Sequence, residues 1–146
     1  MNRLLTLIAA PLLVLTATGA AVAQKAISPG YWETISRVTS PFPTAKTEKR
    51  CIKPADVTKF MEGKINHIYT CTYPTKEVGG GKIRLQGSCA AKDGPPVPIT
   101  GDGVFTSDTM HIDAKVSLPL GGLSVPVKAS TDAHRLGDTC PEPAAG

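Results

Sequence analysis

The stretch CTYPTKEVGGGKIRLQGSC, residues 71–89, sets two cysteines at equal distances from Gly80, the centre of a glycine triplet. Folding the chain about Gly80 brings Cys71 opposite Cys89 and Tyr73 opposite Gly87. The cysteines lie an even number of residues apart, and side chains of a strand alternate between its faces, so both sulfurs share one face of the hairpin. Tyr73 then covers the gap left by Gly87, which supports glycine in a strand. Pro74 has no amide to donate and requires an edge or a bulge. A disulfide closing so short a loop is worth about 3 kcal/mol by chain entropy.

Cys51 and Cys140 are the other two cysteines, and four cysteines allow three pairings. If Cys71 bonds Cys89, Cys51 and Cys140 are left for each other. That second bridge ties the start of the domain to its last strand and is worth about 4–5 kcal/mol by the same reasoning. No C-x-x-C pair is present, so the pattern argues for structural bridges and against a zinc or thioredoxin-like site.

The same period-two reading extends outward from the hairpin. Ile83, Leu85 and Cys89 alternate with Lys82, Arg84, Gln86 and Ser88. Met110, Ile112, Ala114, Val116 and Leu118 alternate with His111, Asp113, Lys115 and Ser117. Leu123, Val125, Val127 and Ala129 alternate with Ser124, Pro126, Lys128 and Ser130, Pro126 marking an edge or bulge. Such alternation marks strands with one buried and one wet face. A turn at residues 106–109 separates a strand over 97–105 from the one at Met110, and a four-residue turn at 119–122 leads onward. The latter turn predicts Val116 opposite Val125, Ala114 opposite Val127 and Ile112 opposite Ala129, apolar against apolar on one face. Residues 40–46, with Pro41 and Pro43, read as a loop. One segment reads as helical: residues 54–62, with Pro54 near the start and Gly63 after the end, and Val57, Phe60 and Met61 on the face that closes over the sheet. The expected fold is all-β: an antiparallel curved sheet or a small up-and-down barrel, with one short helix and two disulfides.

The first 23 residues read as a secretory leader: Arg3 in a short positive start, an apolar stretch from Leu4 to Leu15, and an A-x-A site at Ala21-Val22-Ala23. Cleavage there leaves one domain over 24–140, a tail over 141–146 and no membrane span. An exported chain with an even cysteine count fits an oxidising compartment. The formal net charge is +4, and Arg3 is the leader's one charged residue, so the mature domain carries +3. Its lysines and arginines are scattered along the chain, whereas nucleic-acid binding calls for a concentrated patch.

Chemistry-bearing constellations are sparse. His67, His111 and His134 are the only histidines, and no two have ligand spacing on one element. His111 and Asp113 share a wet face and read as a surface pair. The VGGGK of residues 78–82 lacks the G-K-[ST] ending of a phosphate loop and leads into a strand. Oxidised cysteines offer no thiolate nucleophile. No catalytic, metal or cofactor site is expected. Trp32, the lone tryptophan, reads either as a core aromatic or, with Tyr31, as the mouth of an apolar ligand cavity.

Three landmarks remain: Pro29-Gly30-Tyr31-Trp32-Glu33, Cys51-Ile52-Lys53-Pro54 and Arg135-Leu136-Gly137-Asp138-Thr139-Cys140. In this order, with Cys71 and Cys89 between them, they resemble a bacterial envelope family filed as domain of unknown function 3617. The resemblance spans essentially the whole mature chain. It implies a small exported protein of Gram-negative bacteria, without an assigned activity. The chain departs from the family in the loop after the first strand, which reads Thr39-Ser40-Pro41-Phe42-Pro43-Thr44 where methionines are associated with the family, so no copper-handling role is carried over. The expectation is a periplasmic, non-enzymatic binding or envelope-accessory protein, whose partner is a small apolar ligand or another envelope protein. The alternative is an interaction or inhibitor module that uses a sheet edge or loop, without a ligand cavity.

Overall fold

A computed structural model describes residues 25–63 and 69–142. The leader, His67 and residues 143–146 of the tail lie outside the described residues. Within them the chain runs β1 (Gly30–Ser40), β2 (Thr44–Ile52), a 3-10 turn (Pro54–Asp56) leading into α1 (Val57–Met61), β3 (Tyr69–Gly79), β4 (Lys82–Ala91), β5 (Val97–Phe105), β6 (Thr109–Leu120) and β7 (Leu123–Gly137). The strands form one antiparallel sheet in the order β2-β1-β7-β6-β5-β4-β3. Of the two architectures expected, the structure is the open sheet: β2 and β3 are its edges and do not pair with each other, so no barrel closes.

Both disulfides are those read from the cysteine spacing, Cys71–Cys89 and Cys51–Cys140. The hairpin register differs in an instructive way. Gly79 pairs Lys82 and Val78 pairs Ile83, so the turn is the two-residue Gly80-Gly81 and not a fold about Gly80 alone. Both glycines have positive φ, +59° and +77°, as two-residue turns between twisted strands require. A bulge between Thr72 and Thr75 then shifts the register by one residue, and Cys71 still meets Cys89. The bulge holds Pro74 on an edge strand, where its missing amide costs nothing. Gly87 faces the bulge so closely that a Cβ there would lie 1.9 Å from the Thr72 carbonyl oxygen, so backbone approach dictates that glycine.

The β6–β7 register is a correction. Val116 pairs Val127, Ala114 pairs Ala129 and Ile112 pairs Thr131, a slip of two residues from the expected pairing. The cause is again a two-residue turn, Gly121-Gly122 with φ of +57° and +82°, which extends both strands to Leu120 opposite Leu123. An even slip keeps every side chain on its expected face. The loop expected at 40–46 is also shorter: Thr44 to Ile52 form β2, leaving residues 41–43 as the connection after a cis Ser40-Pro41 bond. Pro126 sits in β7 beyond the last β1 partner, so it occupies a local edge as predicted.

One face of the sheet carries the core. Trp32, Ile52, Ile83, Leu85, Phe105, Met110 and Ala133 project from it and meet Phe60 and Met61 of α1 and Ile27 of the segment before β1. Burying apolar surface against a second layer is what stabilises a single sheet. Among the described residues that layer is five helical residues and one preceding segment, which cover only part of the face.

Candidate functional site

The inner face divides along the strands. At the end where β1 begins and β7 finishes, its side chains are sealed. Trp32 is fully buried, its ring 6.0 Å from that of Phe60. Its indole N–H donates to the Ser28 carbonyl at 3.0 Å, so burial leaves no orphan donor. Glu62 follows α1 and is only 2% exposed, yet a carboxylate is tolerated there because Lys76 of β3 donates to it at 2.6 Å. Burial first, and the Glu62 charge second, push the nearby Tyr73 phenol upward. A cleft of about 300 Å³ opens beside this pair, lined by Lys25, Ala26, Thr58, Met61, Glu62, Lys76 and Val78.

Towards the other end, the same face loses its cover. The cross-strand register places Val38, Ala129, Ala114 and Gly101 in one row, and Val127, Val116 and Ile99 in the next. Leu118 with Val125, then Leu120 with Leu123, follow outward. Val38, Ile99, Ala114, Val116, Leu118, Val125, Val127 and Ala129 are each only half-buried. Leu120 and Leu123 are exposed. The result is a continuous apolar surface several strands wide that no second layer covers among the described residues. Its β2 flank is polar, with Lys46, Glu48 and Arg50 in sequence along the inner side. Glu48 accepts from Lys46 at 2.7 Å and from Arg50 at 2.8 Å, and the Lys46 hydrogen bond, with help from both charges, holds its carboxyl below the ordinary range. The Arg50 Nε is buried without a hydrogen-bond partner.

The outer face is a ladder of charges. His111 of β6 lies directly opposite Asp132 of β7, Nδ1 to Oδ1 at 2.6 Å, and its Nε2 is 3.2 Å from Asp113. Arg37 of β1 pairs with Asp132 from the other side. Hydrogen bonding to Asp132 raises the imidazole above its ordinary 6.5; burial opposes this, and Asp113 adds to the rise. The reciprocal bond from His111, reinforced by Arg37, lowers Asp132. With both ring nitrogens facing carboxylates, the protonated form of His111 is favoured, and the side chain links β6 to Asp132 of β7. Further along, Glu33 stands between Lys49 at 3.7 Å and His134 at 3.5 Å, and Arg84 pairs with Asp102 at 3.3 Å. No group of three or more His, Cys, Asp or Glu is arranged to hold a metal ion among the described residues.

These positions sort the residues singled out by the sequence. Tyr31 and Trp32 do not line one mouth: as successive strand residues they point to opposite faces, Trp32 into the sealed core and Tyr31 outward between Cys51 and Gly137. The His111–Asp113 pair forms, but Asp132 and Arg37, its stronger partners, come from other strands. The correct two-residue turn would have revealed Asp132, because it alone brings residue 132 opposite residue 111.

The molecule is thus a disulfide-braced, open antiparallel sheet with one end of its inner face covered. A family model described as "Protein of unknown function (DUF3617)" matches residues 27–140, and the chain belongs to that family. No curated protein and no solved structure matches it. No helix among the described residues is long and apolar enough to cross a membrane.

Proposed function

We propose that the chain is a non-enzymatic, exported protein that holds a small apolar ligand on the uncovered part of its inner face. The observation that carries this reading is the contrast along β6. Met110 is 4% exposed within the core cluster, whereas Ala114, Val116 and Leu118 on the same face are half-open. An apolar surface of that extent on a monomer marks a binding site. A ligand of acyl or ring character would remove it from water without any change in the strands. Periplasmic residence, with the leader cut after Ala23, is part of the reading, and the two disulfides support export to an oxidising compartment. The two bridges brace a domain whose cover is too small to stabilise it alone.

A second reading is favoured by the sheet edges. β3 is interrupted by the Pro74 bulge, but β2 has no proline and no bulge against β1, so its outer backbone groups offer a continuous template for a partner strand. Native mass spectrometry on unreduced protein recovered from the periplasm of its own host separates the two. The ligand reading expects the mature mass, four hydrogens light for two disulfides, plus an adduct of a few hundred daltons that leaves on denaturation. A bare mature mass overturns it, and a protein-sized adduct replaces it with the edge reading.

A further inference from the structure

The β6–β7 hairpin runs on past its last pairs with both neighbouring strands. β1 makes its last pair with β7 at Ser40–Lys128, and β5 makes its last pair with β6 at Ile99–Val116. Residues 117–126 therefore pair only with each other, and the tip stands about 16 Å beyond the end of β1 at ~3.3 Å per strand residue. Its foremost side chains are Leu120, 57% exposed, and Leu123, 72% exposed. The neighbouring β1–β2 loop adds Phe42, 80% exposed, at the same end.

The charge behind this tip is as distinctive. Lys115 and Lys128 are direct cross-strand partners on the outer face, and among the described residues neither ammonium has a carboxylate partner. Like charges directly opposite each other destabilise a sheet pair, so this rung is a cost the isolated domain bears. No Asp or Glu occurs between Asp113 and Asp132, nor between Glu33 and Glu48, so both segments reaching this end carry basic charge alone. The adjoining β4–β5 connection contributes one charge of each sign, Lys92 and Asp93.

We propose that this hairpin tip docks on the surface of an anionic phospholipid bilayer. Leu120 and Leu123 would enter the boundary between headgroups and acyl chains, with the Lys115–Lys128 rung and Phe42 behind them on the phosphate side. A bilayer suits these features better than a protein does. Two leucines and a neighbouring phenylalanine fall far short of the roughly 800 Å² per partner that a stable protein interface buries. Shallow insertion of a few apolar side chains backed by cations needs no complementary shape. Neutralising an opposed lysine pair also removes the repulsion that the free protein carries. The tip leucines are the outer limit of the surface that the ligand reading uses, but vesicle binding tests only the tip and its lysine rung.

The test is co-sedimentation of the mature, disulfide-bonded protein with vesicles of phosphatidylcholine alone, and of equal parts phosphatidylcholine and phosphatidylglycerol. Binding is expected to the anionic vesicles only, and to weaken with added salt. K115Q/K128Q should reduce it by about fivefold per lysine. L120S/L123S should reduce it at least tenfold, with unchanged denaturant midpoints for both variants showing that the fold is intact. Failure of the wild-type protein to sediment with anionic vesicles overturns the proposal. So does L120S/L123S binding as tightly as wild type, which would leave charge alone responsible. A dimer in sedimentation velocity that L120S/L123S abolishes would also overturn it, assigning the tip to a second copy of the chain.

Discussion

Trp32 and Val38 stand on the same face of β1, six residues apart, and Met110 and Val116 repeat that spacing on β6. In each pair the first side chain is buried and the second is half-open. Residue type does not explain the difference, since valine buries as readily as methionine. What differs is the layer above: α1 and Ile27 share the core cluster with Trp32 and Met110, and nothing among the described residues lies over Val38 and Val116. A sheet face becomes a core only where something covers it, and elsewhere the same alternation produces a binding surface. Each end also has its own bridge. Cys51–Cys140 braces the sealed end across 89 residues of sequence, and Cys71–Cys89 clips the strands of the open end across 18.

The largest effect expected from this contrast is at the long bridge. Replacing both Cys51 and Cys140 by alanine should cost about 4–5 kcal/mol, against about 3 kcal/mol for the Cys71 and Cys89 pair, because the longer loop restricts the unfolded chain more. Urea unfolding of the two double variants gives the order directly, and equal losses would remove loop length as the explanation. Next, Trp32→Ala should cost about 3–5 kcal/mol, through lost burial and the cavity left against Phe60. Val127→Ala on the open half should cost about 1 kcal/mol or less, since its methyls are only half removed from water. If the valine loss rivals the tryptophan loss, the open half is covered in solution and the comparison fails.

The smallest effect concerns the charge ladder of the outer face. The folded imidazole of His111 titrates above its ordinary 6.5, so its protonation contributes stability fully present below pH 6.5 and lost as pH rises through the raised value. Asp132 titrates below its ordinary 3.8, so its contribution is present above pH 3.8 and lost as pH falls further. The network therefore stabilises most between those two values. Both side chains are more than two-fifths exposed, and solvent screening limits the gain to about 0.2–1 kcal/mol. Unfolding midpoints measured from mildly acid to mildly alkaline pH should fall less steeply for His111→Asn than for the natural protein. Parallel profiles would show that the pair does not couple the strands.

Much of this architecture was readable in advance, and the exceptions have identifiable causes. β4, β6 and β7 announced themselves because one face of each is apolar and the other polar. β2 did not: in TAKTEKRCI, Lys46, Glu48 and Arg50 project on the inner side and Lys49 on the outer, so no alternation shows. The β6–β7 register slipped by two because Pro119 and Leu120 were read as turn when Gly121-Gly122 suffices. That slip hid the His111–Asp132 contact, setting Ser130 opposite His111 in place of Asp132. Trp32 was open to two readings because a strand residue's neighbours along the chain do not reveal whether a helix covers it.

Strand identity, facing and the hairpin disulfide are local properties, set by a two-residue period and by a glycine turn that returns the chain on itself, and the sequence alone determined them. The second bridge then followed from the cysteine count. Which rows of the inner face are sealed, which edges stay unpaired and which acid meets His111 depend on contacts between segments as much as a hundred residues apart. Those were decided by the tertiary structure, because register and cover are set by the packing of whole elements and leave no trace in a short window of sequence.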